Sequence, residues 1–136
     1  MSYGASAALQ AAVFRQLQGD AALGALVGAN VFDAAPPGAV PELYVSLGAE
    51  EVRDRSDKSG PGAVHLLVVS VVTGLAGFRA AKEAAVAVCD ALQDAPLVLV
   101  RGRLVSLRFD RARARRERDG QTRRIDLRFV ARVEDD

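Results

Sequence analysis

The sequence predicts an α+β fold: a mostly antiparallel sheet with helices packed on it and a long C-terminal β-hairpin. Three observations carry this. Two segments, residues 6–18 and 75–93, repeat apolar side chains at helical spacing. Several others alternate apolar and polar residues with the period of a strand. Near the C-terminus, Asp119-Gly120 separates two long alternating arms, and Gly readily supplies the positive φ that a hairpin turn needs.

The first helix is expected over residues 6–18, with Leu9, Val13 and Leu17 on one face, Ser6 as N-cap and Gly19 as its stop. Asp20 then caps a short helix over 21–27, ended by Gly28. Val31-Phe32-Asp33 is a brief extended piece. Pro36-Pro37-Gly38 and Pro41 form a stiff loop that cannot be helical. Residues 43–52 alternate as a strand. Residues 53–62, Arg-Asp-Arg-Ser-Asp-Lys-Ser-Gly-Pro-Gly, read as a mobile polar loop, because nothing in them can be buried. Residues 63–73 are the most hydrophobic strand, and from Leu66 to Val72 both faces are apolar apart from Ser70, which predicts a central position covered on both sides.

The main helix is expected over 75–93, with Phe78, Ala81, Ala85, Val88 and Leu92 as its inward stripe. Residues 97–100 read as a short strand after Pro96. The hairpin then runs out over 103–116, turns at 117–121 and returns over 122–133. Val105, Leu107 and Phe109 would face the core from the first arm, and Ile125, Leu127, Phe129, Ala131 and Val133 from the second. Beyond Phe109 the first arm has no large apolar residue, so it must lean on solvent or on a partner. No repeat or linker interrupts the 136 residues, which predicts a single domain over 1–136.

Half of the residues are hydrophobic, enough for a core without disulfides or metal, and aromatic residues are only 5%. One cysteine, Cys89, excludes an internal disulfide and a cysteine metal cluster. No run is long enough to span a membrane, and Met1-Ser2-Tyr3-Gly4 lacks the features of a signal peptide, so no membrane role and a cytoplasmic origin are expected. The net charge of +1 hides an asymmetry. Residues 1–100 carry six basic and ten acidic side chains, net −4; residues 101–136 carry twelve Arg and seven acids, net +5. Such halves suit head-to-tail contacts between copies as well as an anionic ligand.

Catalytic chemistry finds little support. His65 is the only histidine, beside Val64 and Leu66, and a base needs partners. Cys89 lies next to the inward stripe of a helix and reads as an inert buried thiol. Glu50, Glu51 and Asp54 form a carboxylate cluster, better read as a solvated strand end pairing with Arg53 and Arg55 than as a metal site. The Gly24-Ala25-Leu26-Val27-Gly28 segment lacks the Lys-Ser/Thr of a phosphate loop. An enzyme and a cofactor are therefore not expected.

The arginines of the hairpin have three readings. They are a charged sheet edge that discourages aggregation, a contact with a partner protein, or a contact with nucleic-acid phosphates. No aromatic residues interleave with the arginines at the arm tips, so no base-stacking platform is visible. Arg111, Arg113, Arg115, Arg116, Arg118, Arg123 and Arg124 are the candidate subunit or partner contacts. Arg53, Asp54, Arg55, Asp57 and Lys58 are the candidate mobile contact loop.

The order and spacing of these pieces resemble the tail-terminator (tail-completion) proteins of long-tailed phages, most closely the version found in gene transfer agents and related prophages. The resemblance covers nearly the whole chain. It rests on Leu23-x-x-Leu26-Val27-Gly28 after the Asp-capped turn, Val31-Phe32-Asp33, Tyr44-Val45 with Gly48, and His65 before a Val-rich strand. Ala80-Ala81-Lys82 with Leu92, Asp119-Gly120-x-x-Arg123 and Arg128-Phe129-x-Ala131 complete it. The chain departs where Glu42-Leu43 separate Pro41 from Tyr44, and where Val72-Thr73 stand in place of a closing aromatic residue.

The resemblance implies a structural virion protein. It would form a ring, typically a hexamer, on the head-proximal end of the tail tube. The ring would stop polymerisation of the major tail-tube protein and offer a surface to a head-side connector or stopper protein, with DNA only passing through its channel. The protein would reside at the head–tail junction, after assembly in a bacterial cytoplasm. The alternatives are a head-side connector or tail-tube subunit, or a small nucleic-acid-binding module using the arginine hairpin.

Overall fold

The computed structural model describes residues 3–34, 38–58 and 60–135. The expected proline loop at Pro36-Pro37 lies outside the described residues. The elements run α1 (Ser6–Gln18), α2 (Ala21–Val27), β1 (Val31–Phe32), β2 (Leu43–Asp54), β3 (Gly62–Thr73), α3 (Arg79–Leu92), β4 (Arg103–Arg116) and β5 (Arg123–Glu134). The five strands form one sheet in the order β1-β2-β3-β5-β4. Every pairing is antiparallel except β1 with β2. This is the predicted α+β fold with its C-terminal hairpin.

All three helices pack on one face of the sheet. The stripe of α1, Leu9, Val13 and Leu17, is buried there, as are Ala81, Ala85, Val88 and Leu92 of α3. From the sheet come Val45, Val69, Val71, Leu107, and Ile125, Leu127, Phe129, Ala131 and Val133 of β5. Among the described residues, the other face of the sheet carries no helix. On β3 its residues Val64, Leu66 and Val68 are only half-buried. The expectation that β3 is central holds, and its second face is covered only toward the C-terminal end, where Ser70 and Val72 are buried. From Val64 to Val68 that face is apolar but open.

Several boundaries move for identifiable reasons. Ser6 is not the N-cap of α1: Ala5 holds that position, and Ser6 lies inside the helix, buried. Asp20 caps α2 as expected, its Oδ2 accepting from the Leu23 N–H at 2.9 Å. The main helix begins at Arg79 rather than at residue 75, because Gly77 adopts φ +78°, which no right-handed helix contains. Residues 97–100 form no strand. Leu99 is buried while Val98 and Val100 are 82% and 86% exposed, so the alternation is real but finds no ladder.

The hairpin contains two bulges, between Leu104 and Ser106 and between Phe109 and Arg111. The first puts Leu104 opposite Val133 and turns Val105 outward, contrary to expectation. Phe109 remains 41% exposed, packing edge-on against the buried Phe129 at 6.0 Å. The turn has its positive φ at Gly120 alone, with Gly120 N–H donating to Glu117 O, so it is not a two-residue primed turn.

Candidate interaction surface

The helix-free face of the sheet is built by the residues of β4 and β5 that alternate with the core positions. It carries Arg111, Arg113 and Arg115 of β4 beside Arg124, Asp126 and Arg128 of β5. Between them and β2 lies an open groove of about 330 Å³. Its floor is Gly48, Ala49 and Val68, and its walls are Arg111, Arg113, Arg124 and Arg128. The bulge between Leu47 and Glu50 contributes to this floor by placing two small residues, Gly48 and Ala49, there. A side chain at Gly48 would meet Val68 O at 3.2 Å.

The predicted arginines divide into two sets. Arg115 and Arg124 belong to an internal network centred on Asp126, which accepts from Ser70 Oγ at 2.6 Å and Arg124 Nε at 2.9 Å. Arg115 reaches Asp126 and Glu117, each at 3.4 Å. Burial pushes the Asp126 carboxyl up, but the bonds from Ser70 and Arg124 and the charges of Arg124 and Arg115 outweigh it and hold the group below its ordinary value. Arg123 turns to the Leu75 carbonyl at 3.2 Å and lies over the Phe78 ring at 5.7 Å. By contrast, Arg111, Arg113, Arg116 and Arg118 form no ion pair among the described residues. All four are exposed. These four remain available to a partner.

The expected contact loop is shorter than residues 53–62. Arg53 and Asp54 lie in β2, and the strand ladder resumes at Gly62. The turn between is bonded: Asp57 and Gly60 pair through their main chains, Asp54 accepts from Ser56 Oγ at 2.7 Å, and Arg55 N–H donates to Gly62 O. Arg55 and Lys58 are exposed on it.

Sequence reasoning missed one buried cluster. Glu50 does not lie at a solvated strand end with Arg53 and Arg55. Its Oε1 accepts from Ser6 Oγ at 2.8 Å, and its Oε2 lies 3.1 Å from Nδ1 of the fully buried His65. His65 Nε2 has no hydrogen-bond partner among the described residues. The carboxylate sits between the hydroxyl and the imidazole, whereas a nucleophilic triad needs the imidazole between them. Glu51, on the opposite face, pairs with Arg53 at 3.5 Å as expected. No signal in the sequence joins residues 6, 50 and 65, because the bulge in β2 decides which glutamate turns inward. Cys89 is half-buried, and burial followed by the Asp90 charge pushes its thiol up, away from the reactive thiolate.

The chain matches the family described as tail completion protein gp17 over residues 11–134. No curated protein matches it. Among solved structures it is similar to a chain in the virion of a native gene transfer agent (GTA) particle, with 61% identity and a TM-score of 0.93. That likeness covers 98% of this chain and 99% of the other. No described helix is long and apolar enough to cross a membrane.

Proposed function

The chain belongs to the tail completion protein gp17 family, and on that premise we propose that it is a structural protein of a phage-like tail. It assembles as a ring at the head-proximal end of the tail tube, stops tube polymerisation and presents a joining surface to a head-side connector. The observation that carries this reading is the full-length likeness, at 61% identity, to a chain from a gene transfer agent virion. The surface fits the role: one face of the sheet is closed by helices, and the other presents unpaired arginines around a groove. Its partners are further copies of itself, the tail-tube protein and the connector. The reading assigns no enzymatic step and no cofactor.

The test is removal of the protein from particle-producing cells, followed by electron microscopy. Tails of unregulated length, or tails not joined to heads, are the expected result. Particles of normal length and normal head attachment overturn the reading. A nucleic-acid role, favoured by Arg111 and Arg113 facing the groove, makes a different prediction. It requires affinity for DNA by the isolated protein that falls steeply with salt.

A further inference from the structure

The sheet has two unlike free edges. At one end, β1 pairs with Val45 and Ser46, so among the described residues β2 from Leu47 to Asp54 carries no strand on its outer side. At the other end, the inner half of β4 is occupied: Asp94 N–H donates to Leu107 O, and Phe109 N–H donates to Gln93 Oε1, both at 2.9 Å. Beyond that point residues 111–116 have no neighbour on their outer side among the described residues. An unpaired strand edge is a template for another chain. Arginines along it resist pairing with a like edge, and favour an acidic one.

We propose that β4 of one copy adds, antiparallel, to the free stretch of β2 in the next, so that the sheet runs on from subunit to subunit. The proposal rests on the ring reading above and states where the copies join. Net charge favours this union: β4 holds six arginines and one aspartate, and β2 holds three carboxylates and one arginine. Direction agrees. Within the chain β2 and β4 run in opposite senses, three antiparallel steps apart. A rotation about an axis along the sheet keeps that relation and closes head to tail.

The faces agree as well. On the helix side of β4, Ala112 and Ala114 are exposed, with nothing of their own chain over them. On the helix side of the β2 edge lies a largely apolar groove of about 640 Å³ between α1 and Leu47, lined by Tyr3, Ala7, Ala11 and Phe14. The small side chains of the incoming strand would lie beneath α1 of the neighbour.

The offset is also consistent. Across the ladder Arg116 stands level with Leu43, so the two free stretches lie at different heights. Closed sheets tilt their strands by roughly 35–45°. Five strands spaced at about 4.8 Å span roughly 24 Å, so neighbours are offset by roughly 17–24 Å, about five to seven residues. An offset of about six sets residues 113–116 beside residues 50–53.

Hydrogen exchange on the unmodified protein, free and assembled on tail tubes, reads this pairing directly. Amides in both 111–116 and 48–54 should slow on the order of tenfold or more on ring formation. In a Cys89→Ala background, Arg113→Cys with Arg53→Cys, directly opposite in this register, should give a reducible ladder of cross-linked copies, and either alone should not. Rings with neither protection nor cross-links overturn this proposal and leave the ring standing. Absence of rings in the unmodified protein overturns both. Protection of 111–116 on adding duplex DNA without rings assigns the arm to nucleic acid and overturns the pairing.

Discussion

Two adjacent glutamates have opposite environments, and this gives the residue scale its sharpest test. Glu50 is bonded to Ser6 and lies against the fully buried His65, whereas Glu51 is exposed beside Arg53. Glu50→Ala strips both buried groups of their partner and should cost about 1–3 kcal/mol. Glu51→Ala should stay within about 0.5 kcal/mol. Denaturant titration of the two variants separates them, and equal costs would contradict the buried cluster. Asp126 gives the acid dependence. Its carboxyl titrates below its ordinary value in the folded chain. The stability it contributes is complete above the unfolded value of about 3.9 and is lost as pH falls through the lower folded value. Melting curves from neutral to strongly acid pH should show that loss in the parent. Asp126→Asn should flatten it, while lowering stability at neutral pH.

At the scale of elements, the hairpin is anchored at its base and bare at its end. Arg101 forms a two-pronged ion pair with the buried Asp135, at 3.1 and 2.9 Å, and Gly102 turns the chain into β4 with φ +78°. A Cβ at Gly102 would lie 2.8 Å from Glu134 O. Gly102→Ala combines that clash with a left-handed backbone and should cost about 1–3 kcal/mol. A melting point equal to the parent's would show that the base adjusts freely. At the bare end, Arg111→Ala with Arg113→Ala removes two arginines without ion pairs among the described residues. The folded chain should lose no more than about 1 kcal/mol, as exposed charges do. Assembly should weaken by about 2 kcal/mol or more if these side chains are desolvated in the ring. Changing both to Glu should harm assembly more than Ala, and normal tails from either variant would reduce the arm to a charged edge.

For the whole molecule, the charge split sets how assembly responds to salt. The first hundred residues carry net −4 and the remainder net +5. If these unlike parts meet in the ring, their attraction is screened as the Debye length shrinks from about 10 Å at 0.1 M salt to about 3 Å at 1 M. Mass measurement at fixed protein concentration should therefore show smaller species as salt rises. Rings that tighten with salt would point to an interface governed by apolar burial. The same geometry keeps most hairpin arginines out of the core: Arg111, Arg113, Arg115, Arg124 and Arg128 stand on the helix-free face, while Arg123 lies over Phe78.

The helical stripe of α1, the capped turn at Asp20, the core positions of β5 and the two arms of the hairpin were legible in the sequence. Each of these is a local pattern, readable because side chains repeat with the period of the element that carries them. The sequence also carried the resemblance, since that rests on the order of such patterns. Which faces are covered depends on how the elements pack. Leu66 and Val68 read as buried, yet among the described residues no helix crosses their side. The alternation at 97–100 met no strand, because a ladder needs a free neighbour and not only a suitable sequence. The bulge that turns Glu50 toward Ser6 and His65, and the pairing that divides bound from unbound arginines, join residues up to 56 positions apart. Such contacts are set by how the elements pack, and no periodicity along the chain records them.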